Sequence, residues 1–194
     1  MRPIVLASSS RYRRELLARL HLPFAVDRPE IDESALTGED PASTALRLAQ
    51  FKAEAVASRH AGALVIGSDQ IAELDGAAIG KPGAYAAALE QLEWMQGRSV
   101  VFHTALALLD TATGATQLGN VPTRVRFRRL PRALLEAYLR LDAPFDCAGA
   151  AKIESAGIAL VESVESTDPT ALVGLPLIRL TTMLAACGVA VPAQ

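Results

Sequence analysis

A chain of 194 residues, 51% of them hydrophobic, is long enough for one domain or two closely fused lobes around a sizeable core. Its formal net charge of −2 leaves no global basic field, which argues against a large nucleic-acid partner. Cys147 and Cys187 lack metal or redox spacing, and His21, His60 and His103 are scattered. That pattern disfavours a histidine metal site, a disulfide framework or a Ser-His-Asp triad. No apolar run has the length of a membrane span, and Arg2 leads straight into a strand-like run rather than a signal peptide. The expectation is a cytoplasmic globular protein with reduced thiols.

In chain order, residues 3–8 read as a buried strand and 11–21 as a helix, with a short strand at 24–27. Residues 28–43, acidic and broken by proline and glycine, read as a loop, and 43–59 as a helix. "ALVIGSDQIAELDG" reads as strand, bend, strand, closed by an Asp75-Gly76 turn. A helix at 84–96 precedes the long strand "SVVFHTALALLD", and Thr113-Gly114 turns the chain toward a second strand, "TRVRFRRL". "PRALLEAYLRL" predicts a helix opening on Pro131, "GIALVESV" a strand, and 176–187 a final helix. Helices interleaved with strands and a hairpin-like pair imply an α/β layered fold with a mixed sheet.

Five stretches carry candidate chemistry. In "LASSSRYRREL" (6–16) an apolar run stops at Ser8-Ser9-Ser10, and a helix then opens with Arg11, Arg13 and Arg14 in its first turn. Cations there face the positive pole of the helix dipole, which is unfavourable by ~0.3–1 kcal/mol each. With Ser10 as cap, Arg13 shares the direction of Leu16, Leu17 and Leu20, toward the sheet. A strand-to-helix junction offers free N–H groups to phosphate, and serine hydroxyls and arginine forks suit phosphate oxygens. The alternative is an ordinary helix with surface arginines. In "STALRLAQFKAEAVASRH", Lys52 falls on the apolar stripe of Leu48, Ala49 and Val56; its ammonium either snorkels to water or aims into a phosphate-bearing cleft. Asp69 in "VIGSDQ" stands where a buried run gives out, a usual place for catalytic groups, with a turn aspartate as the alternative. "GKP" sets Lys81 on a stiff turn; "EIDES" supplies Glu30, Asp32 and Glu33, of which Glu30 and Asp32 read as a solvated face. A carboxylate pair beside polyphosphate can hold Mg²⁺ and deprotonate a water. "STDPTALVGLP" alone reads as a rigid loop.

Together "LASSSRYRREL", "EIDES", "AQFKA", "GSDQ", "GKP", "CAGAAKIES" and "DPTALVGLP" resemble, in order and spacing, the Maf family of nucleotide pyrophosphatases, from about residue 3 to residue 184. The resemblance implies a single domain over 1–194, an elongated two-lobed fold like that of inosine triphosphate pyrophosphatases, with a mixed twisted sheet flanked by helices and a central cleft. It implies hydrolysis of a nucleoside triphosphate to monophosphate and pyrophosphate with a divalent metal, Mg²⁺ or Mn²⁺. Carried over by position, Ser8, Arg13, Arg14, Lys52 and Lys81 would hold phosphates, Glu33 and Asp69 metal, and Asp69 would accept the proton of the attacking water. Tyr12, Gln70 and Glu154 at the selective positions resemble the branch acting on 7-methyl-GTP, removing modified nucleotides from the pool. An aromatic face and a carboxylate both favour the cationic methylated base, and Gln70 offers a donor and an acceptor to a base edge. The alternatives are the dTTP/UTP branch, a non-catalytic nucleotide-binding regulator of cell division, and nucleotidyl transfer, for which no acceptor residues are evident. The family also implies a homodimer, while charge and hydropathy predict neither a nucleic-acid polymer nor a membrane as partner.

Overall fold

In the computed structural model, which describes residues 2–192, seven strands form one mixed sheet in the order β2-β1-β3-β5-β6-β7, with β4 paired to β3. The first half is doubly wound. Strand β1 (Ile4–Ala7) is followed by helix α1 (Arg11–Ala18) and strand β2 (Ala25–Asp27). Helix α2 (Pro41–Ala57) then leads to β3 (Leu64–Leu74). Both β2 and β3 lie parallel to β1, on opposite sides of it. Right-handed crossovers running in opposite directions must place their helices on opposite faces of the sheet. Accordingly, Leu16 and Leu17 of α1 pack with Ile4, Leu6, Leu64 and Ile66, while Ala45, Ala49, Ala53 and Val56 of α2 pack with Val5, Ala7 and Val65.

The second half is antiparallel. β3 turns through Asp75-Gly76 into β4 (Ala77–Ile79), helix α3 (Tyr85–Met95) follows, and β5 (Ser99–Asp110) pairs with both β3 and β6 (Thr116–Phe127). Helix α4 (Arg132–Asp142), two 3₁₀ turns, β7 (Val161–Ser166) on the edge of β6, and α5 (Leu177–Ala186) complete the chain. Helices α3 and α4 cover the far end of the sheet around Leu74, Leu92, Met95, Phe102 and Val125. Helix α5 returns to the face of α1 with Leu180, Met183 and Leu184.

The first helix ends at Ala18 rather than residue 21, because the chain turns there and His21 takes a left-handed φ of 54°. The second begins at Pro41, two residues earlier than periodicity indicates, since the Asp40 carboxylate accepts from the Ser43 N–H at 3.0 Å and proline occupies the first turn. The remaining helix ends shift by a residue or two: α3 runs Tyr85–Met95, α5 Leu177–Ala186, and Pro131 caps α4 instead of opening it. No bend interrupts "GSDQ". β3 runs unbroken for 11 residues, because each residue from Leu64 to Glu73 has a partner on β5. β6 begins at Thr116 instead of Thr123, since β5 extends the ladder through the polar "TQLGN" segment. In "GIALVESV" the first half forms a 3₁₀ turn, Ala156–Leu160, and the strand starts at Val161, opposite Phe127 at the end of β6.

Candidate active site

The strand order reverses at β1, and β3 outruns it. Ala7, the last residue of β1, pairs with Gly67, so Asp69 and Gln70 stand just beyond the carboxyl end of β1. That crevice is where ligands of open α/β sheets bind. A cleft of about 1400 Å³ opens there. It is lined by Ser8–Arg13, Arg28–Glu33, Lys52, Asp69 and Gln70, together with Ala78–Lys81, Phe102, Asp146–Ala148, Glu154 and Leu172–Gly174. Asp69 lies inside β3, which continues to Leu74, and not at the end of a strand.

Its depth is set by Gly67. A Cβ there would lie 2.0 Å from the Ala49 carbonyl oxygen, so α2 lies directly against the strand. This brings Lys52, one turn further along α2, to Asp69. The Lys52 ammonium, 5% exposed, donates to Asp69 Oδ1 at 2.5 Å and lies 2.8 Å from Glu33 Oε1. It aims into the cleft and does not snorkel. Glu33 reaches it from the loop after β2. Burial acts to raise the Glu33 pKa, but the Lys52 hydrogen bond and the charges of Lys52, Lys81 and Arg13 together hold it below its ordinary value.

Ser10 caps α1 by accepting from the Arg13 N–H at 3.4 Å. Arg13 turns inward: its Nε donates to the Gly174 carbonyl at 2.9 Å, which leaves the two terminal nitrogens without a protein acceptor among the described residues. Burial draws its pKa below the ordinary value, opposed by Asp69 and Glu33. The Ser8 oxygen, 3% exposed, accepts from the Ser10 N–H at 3.1 Å, and its own proton is free for a ligand. Lys81 is exposed and also lines the cleft. Arg14 is not brought to the cleft; one residue on from Arg13 it has rotated about 100° away and is exposed. Glu30 and Asp32 line the cleft, with Asp32 accepting from the Ser34 N–H at 2.9 Å.

Tyr12, Gln70 and Glu154 all line the cleft. Their surroundings alter what each can do. The Arg11 guanidinium carbon lies 4.7 Å from the Tyr12 ring centroid, and Arg11 Nη2 donates to the phenol oxygen at 2.8 Å, so one ring face already carries a cation. Gln70 Nε2 is engaged by the Thr104 hydroxyl at 2.9 Å and by the Ala171 and Leu172 carbonyls at 3.0 and 3.1 Å. Of the donor and acceptor expected from Gln70, only the acceptor remains. Cys147 also lines the cleft; burial, aided by Asp146, pushes its thiol up to about 11, so it is protonated at neutral pH.

"STDPTALVGLP" does more than stiffen a loop. Asp168, 2% exposed, accepts from the Ile178 and Arg179 N–H groups at 2.7 and 3.2 Å, capping α5 in place of Pro176, and from the Thr170 N–H and hydroxyl. The turn it anchors offers the Gly174 carbonyl to Arg13 at 2.9 Å; the buried Ser68 hydroxyl, 3.1 Å from that carbonyl, also has the Ala105 carbonyl at 2.8 Å. Sequence inspection passes over Ser68 and Thr104, whose one visible signal is a polar residue interrupting an apolar strand, and reads Asp168 only as part of a rigid loop.

Two acids and three cations at the switch point of a doubly wound half-sheet define a phosphate-handling α/β protein, and the chain belongs to the Maf-like protein family, whose pattern matches residues 3–187. It is 60% identical over 185 residues to the 7-methyl-GTP pyrophosphatase of Cupriavidus metallidurans, covering 95% of this chain and 93% of that one. It is 63% identical over 182 residues to the 7-methyl-GTP pyrophosphatase of Ralstonia nicotianae, covering 94% of each. Among solved structures, the Staphylococcus aureus Ham1 protein aligns over 64% of this chain and 71% of its own, with a TM-score of 0.46 and 17% identity.

Proposed function

We propose that this protein hydrolyses 7-methyl-GTP to 7-methyl-GMP and pyrophosphate in the cytoplasm, where its two thiols stay free. The observation that carries the reading is the Lys52 ammonium bound between Asp69 and Glu33, at 2.5 and 2.8 Å, in a cleft shared with Arg13. Arg13, Lys52, Lys81 and the Ser8 hydroxyl bind the triphosphate and offset the charge that develops on the leaving pyrophosphate. Asp69 accepts a proton from a water whose oxygen bonds to the α-phosphorus as the α–β anhydride bond breaks. Identity of about 60% to relatives named for this substrate supports the choice of base, as do an aromatic ring (Tyr12) and two acceptors (Glu154, Gln70 Oε1) at the cleft.

The residues fit a divalent cation. No group of three His, Cys, Asp or Glu side chains able to hold a metal occurs among the described residues. Mg²⁺, however, is commonly held by one or two carboxylates together with substrate phosphates. Glu33 and Asp69 would be that pair, through the carboxylate oxygens not engaged by Lys52. Mg²⁺ or Mn²⁺ held there would screen phosphate charge from the carboxylates and make a bound water more acidic.

The test follows pyrophosphate release from 7-methyl-GTP, GTP, dTTP, UTP and CTP with Mg²⁺, for the wild type and Asp69→Asn. Fastest release from 7-methyl-GTP, slowed about 10²–10⁴-fold in the variant, is the expected result. Preference for dTTP or UTP would refute the substrate, and unimpaired Asp69→Asn would refute the proton acceptor.

A further inference from the structure

Directly across the sheet from Gln70 stands Thr104, its register partner on β5, with a fully buried side chain. The Thr104 hydroxyl lies 2.9 Å from the Ala171 carbonyl and 2.9 Å from Gln70 Nε2. A hydroxyl has one proton and a carbonyl can only accept, so the proton points at Ala171 and a lone pair faces Gln70. The same Gln70 nitrogen donates toward the Ala171 and Leu172 carbonyls. The carboxamide therefore has one workable orientation. Turned over, its oxygen would meet three lone pairs. Gln70 Oε1 has no protein donor among the described residues and is not among the buried atoms lacking a partner, so it remains accessible in the cleft that Gln70 lines.

We propose that Thr104 is a positioning residue for base selection, locking Gln70 as an acceptor-only reader of the nucleotide. The site then selects a base whose edge presents adjacent N–H donors. Guanine does so through N1–H and its amino group, whereas uracil sets its one N–H between two carbonyls that face Oε1 unfavourably. The inference rests on the nucleotide reading of the cleft and names what Thr104 adds to it.

The test is calorimetric binding of GMP and UMP to the wild type, Thr104→Val, Thr104→Ser, Gln70→Ala and the Thr104→Val/Gln70→Ala double variant, with a thermal melt of each. Thr104→Val removes the hydroxyl at nearly constant volume. It is expected to lower the GMP-over-UMP preference about tenfold, a size expected for leaving one buried polar group unpaired. Thr104→Ser restores the preference, and Thr104→Val changes it no further in the Gln70→Ala background. A merely structural role would lower the melting temperature without moving the ratio. The proposal is overturned by no GMP preference in the wild type, by an unchanged ratio in Thr104→Val, or by an equal loss without Gln70. Because the readout is nucleotide binding and not turnover, a protein that prefers GMP but releases no pyrophosphate refutes the hydrolase reading and leaves the Thr104 assignment standing.

Discussion

Gly67→Ala is the substitution that tests how the fold builds the site. The new Cβ would fall 2.0 Å from the Ala49 carbonyl oxygen and 2.8 Å from the Ala53 nitrogen, both backbone atoms. Carbon and oxygen normally stay at least about 3.3 Å apart, so α2 must retreat from β3 by roughly 1.3 Å. Overpacking of this kind costs about 1–3 kcal/mol, offset in part by the ~0.5–1 kcal/mol that alanine gains over glycine in a strand. A net loss of about 1 kcal/mol lowers the melting temperature by roughly 2–4 °C in a chain of this size. Function should suffer more. Lys52 moves with the helix, opening its 2.5 Å contact with Asp69. Misplacement by about 1 Å costs on the order of 10²-fold in turnover. A thermal melt and a pyrophosphate-release assay on one preparation decide it. Unchanged turnover alongside a lowered melting temperature would refute the claim that the approach of α2 places Lys52, and no change in either would refute the packing itself.

Asp168→Ala should lower stability by about 3 kcal/mol, a drop of roughly 6–12 °C by calorimetry, since α5 loses its cap and a buried anion its four hydrogen bonds. Arg11→Ala should raise the kcat/KM ratio of 7-methyl-GTP to GTP by about 2–5-fold, because it uncovers a Tyr12 face worth ~0.5–1 kcal/mol to a cation and removes a like charge; a lower ratio would show Arg11 aiding the methylated base. Hydrogen bonds from Arg59 and His60 hold Asp27 down at about 2, and Arg47 holds Glu39 at about 2. Each folded pKa is depressed, so its stabilisation is complete above the ordinary carboxylate range and fades as pH falls from about 4.5 toward 2. Melting temperatures across that window should fall less steeply in Asp27→Asn and Glu39→Gln than in the wild type.

Much of the site follows from spacing along single elements. A serine before a helix caps it, the third helical residue points where Leu16 and Leu17 point, and a lysine on an apolar stripe goes inward; Ser10, Arg13 and Lys52 do all three. The same 3.6-residue period turns Arg14 out to solvent, a consequence that a cluster of like charges obscures. What spacing could not show is held by contacts far apart in sequence. Arg13 meets Gly174 across 161 residues, and Gln70 meets Ala171 across 101. Which way a glutamine amide faces depends on which carbonyls a distant turn delivers, and nothing within either segment encodes that. Strand limits behave likewise. "TQLGN" has weak strand propensity but joins β6 because β5 offers it a full ladder, and "GIAL" forms a 3₁₀ turn before the edge of β6 begins.

Lys52 also shows why stability alone does not account for the site. Burying an ammonium and a carboxylate is expensive, and an apolar pair of similar volume is often as stable or more so. Elsewhere α2 meets the sheet with alanine and valine, which fill that space without charge. The ion pair appears where α2 borders a cleft that Arg13 and Lys81 also line. Two acids alone at that point would repel a triphosphate. A lysine between them makes the local balance of these five groups positive while keeping Asp69 in place to take a proton. Arg13 in turn depends on Gly174, and Gly174 on the turn anchored by Asp168, Thr104 and Ser68. Arg13, proposed to bind phosphate, and Gln70, proposed to read the base, therefore share one mount, and a substitution that loosens the turn should disturb both together.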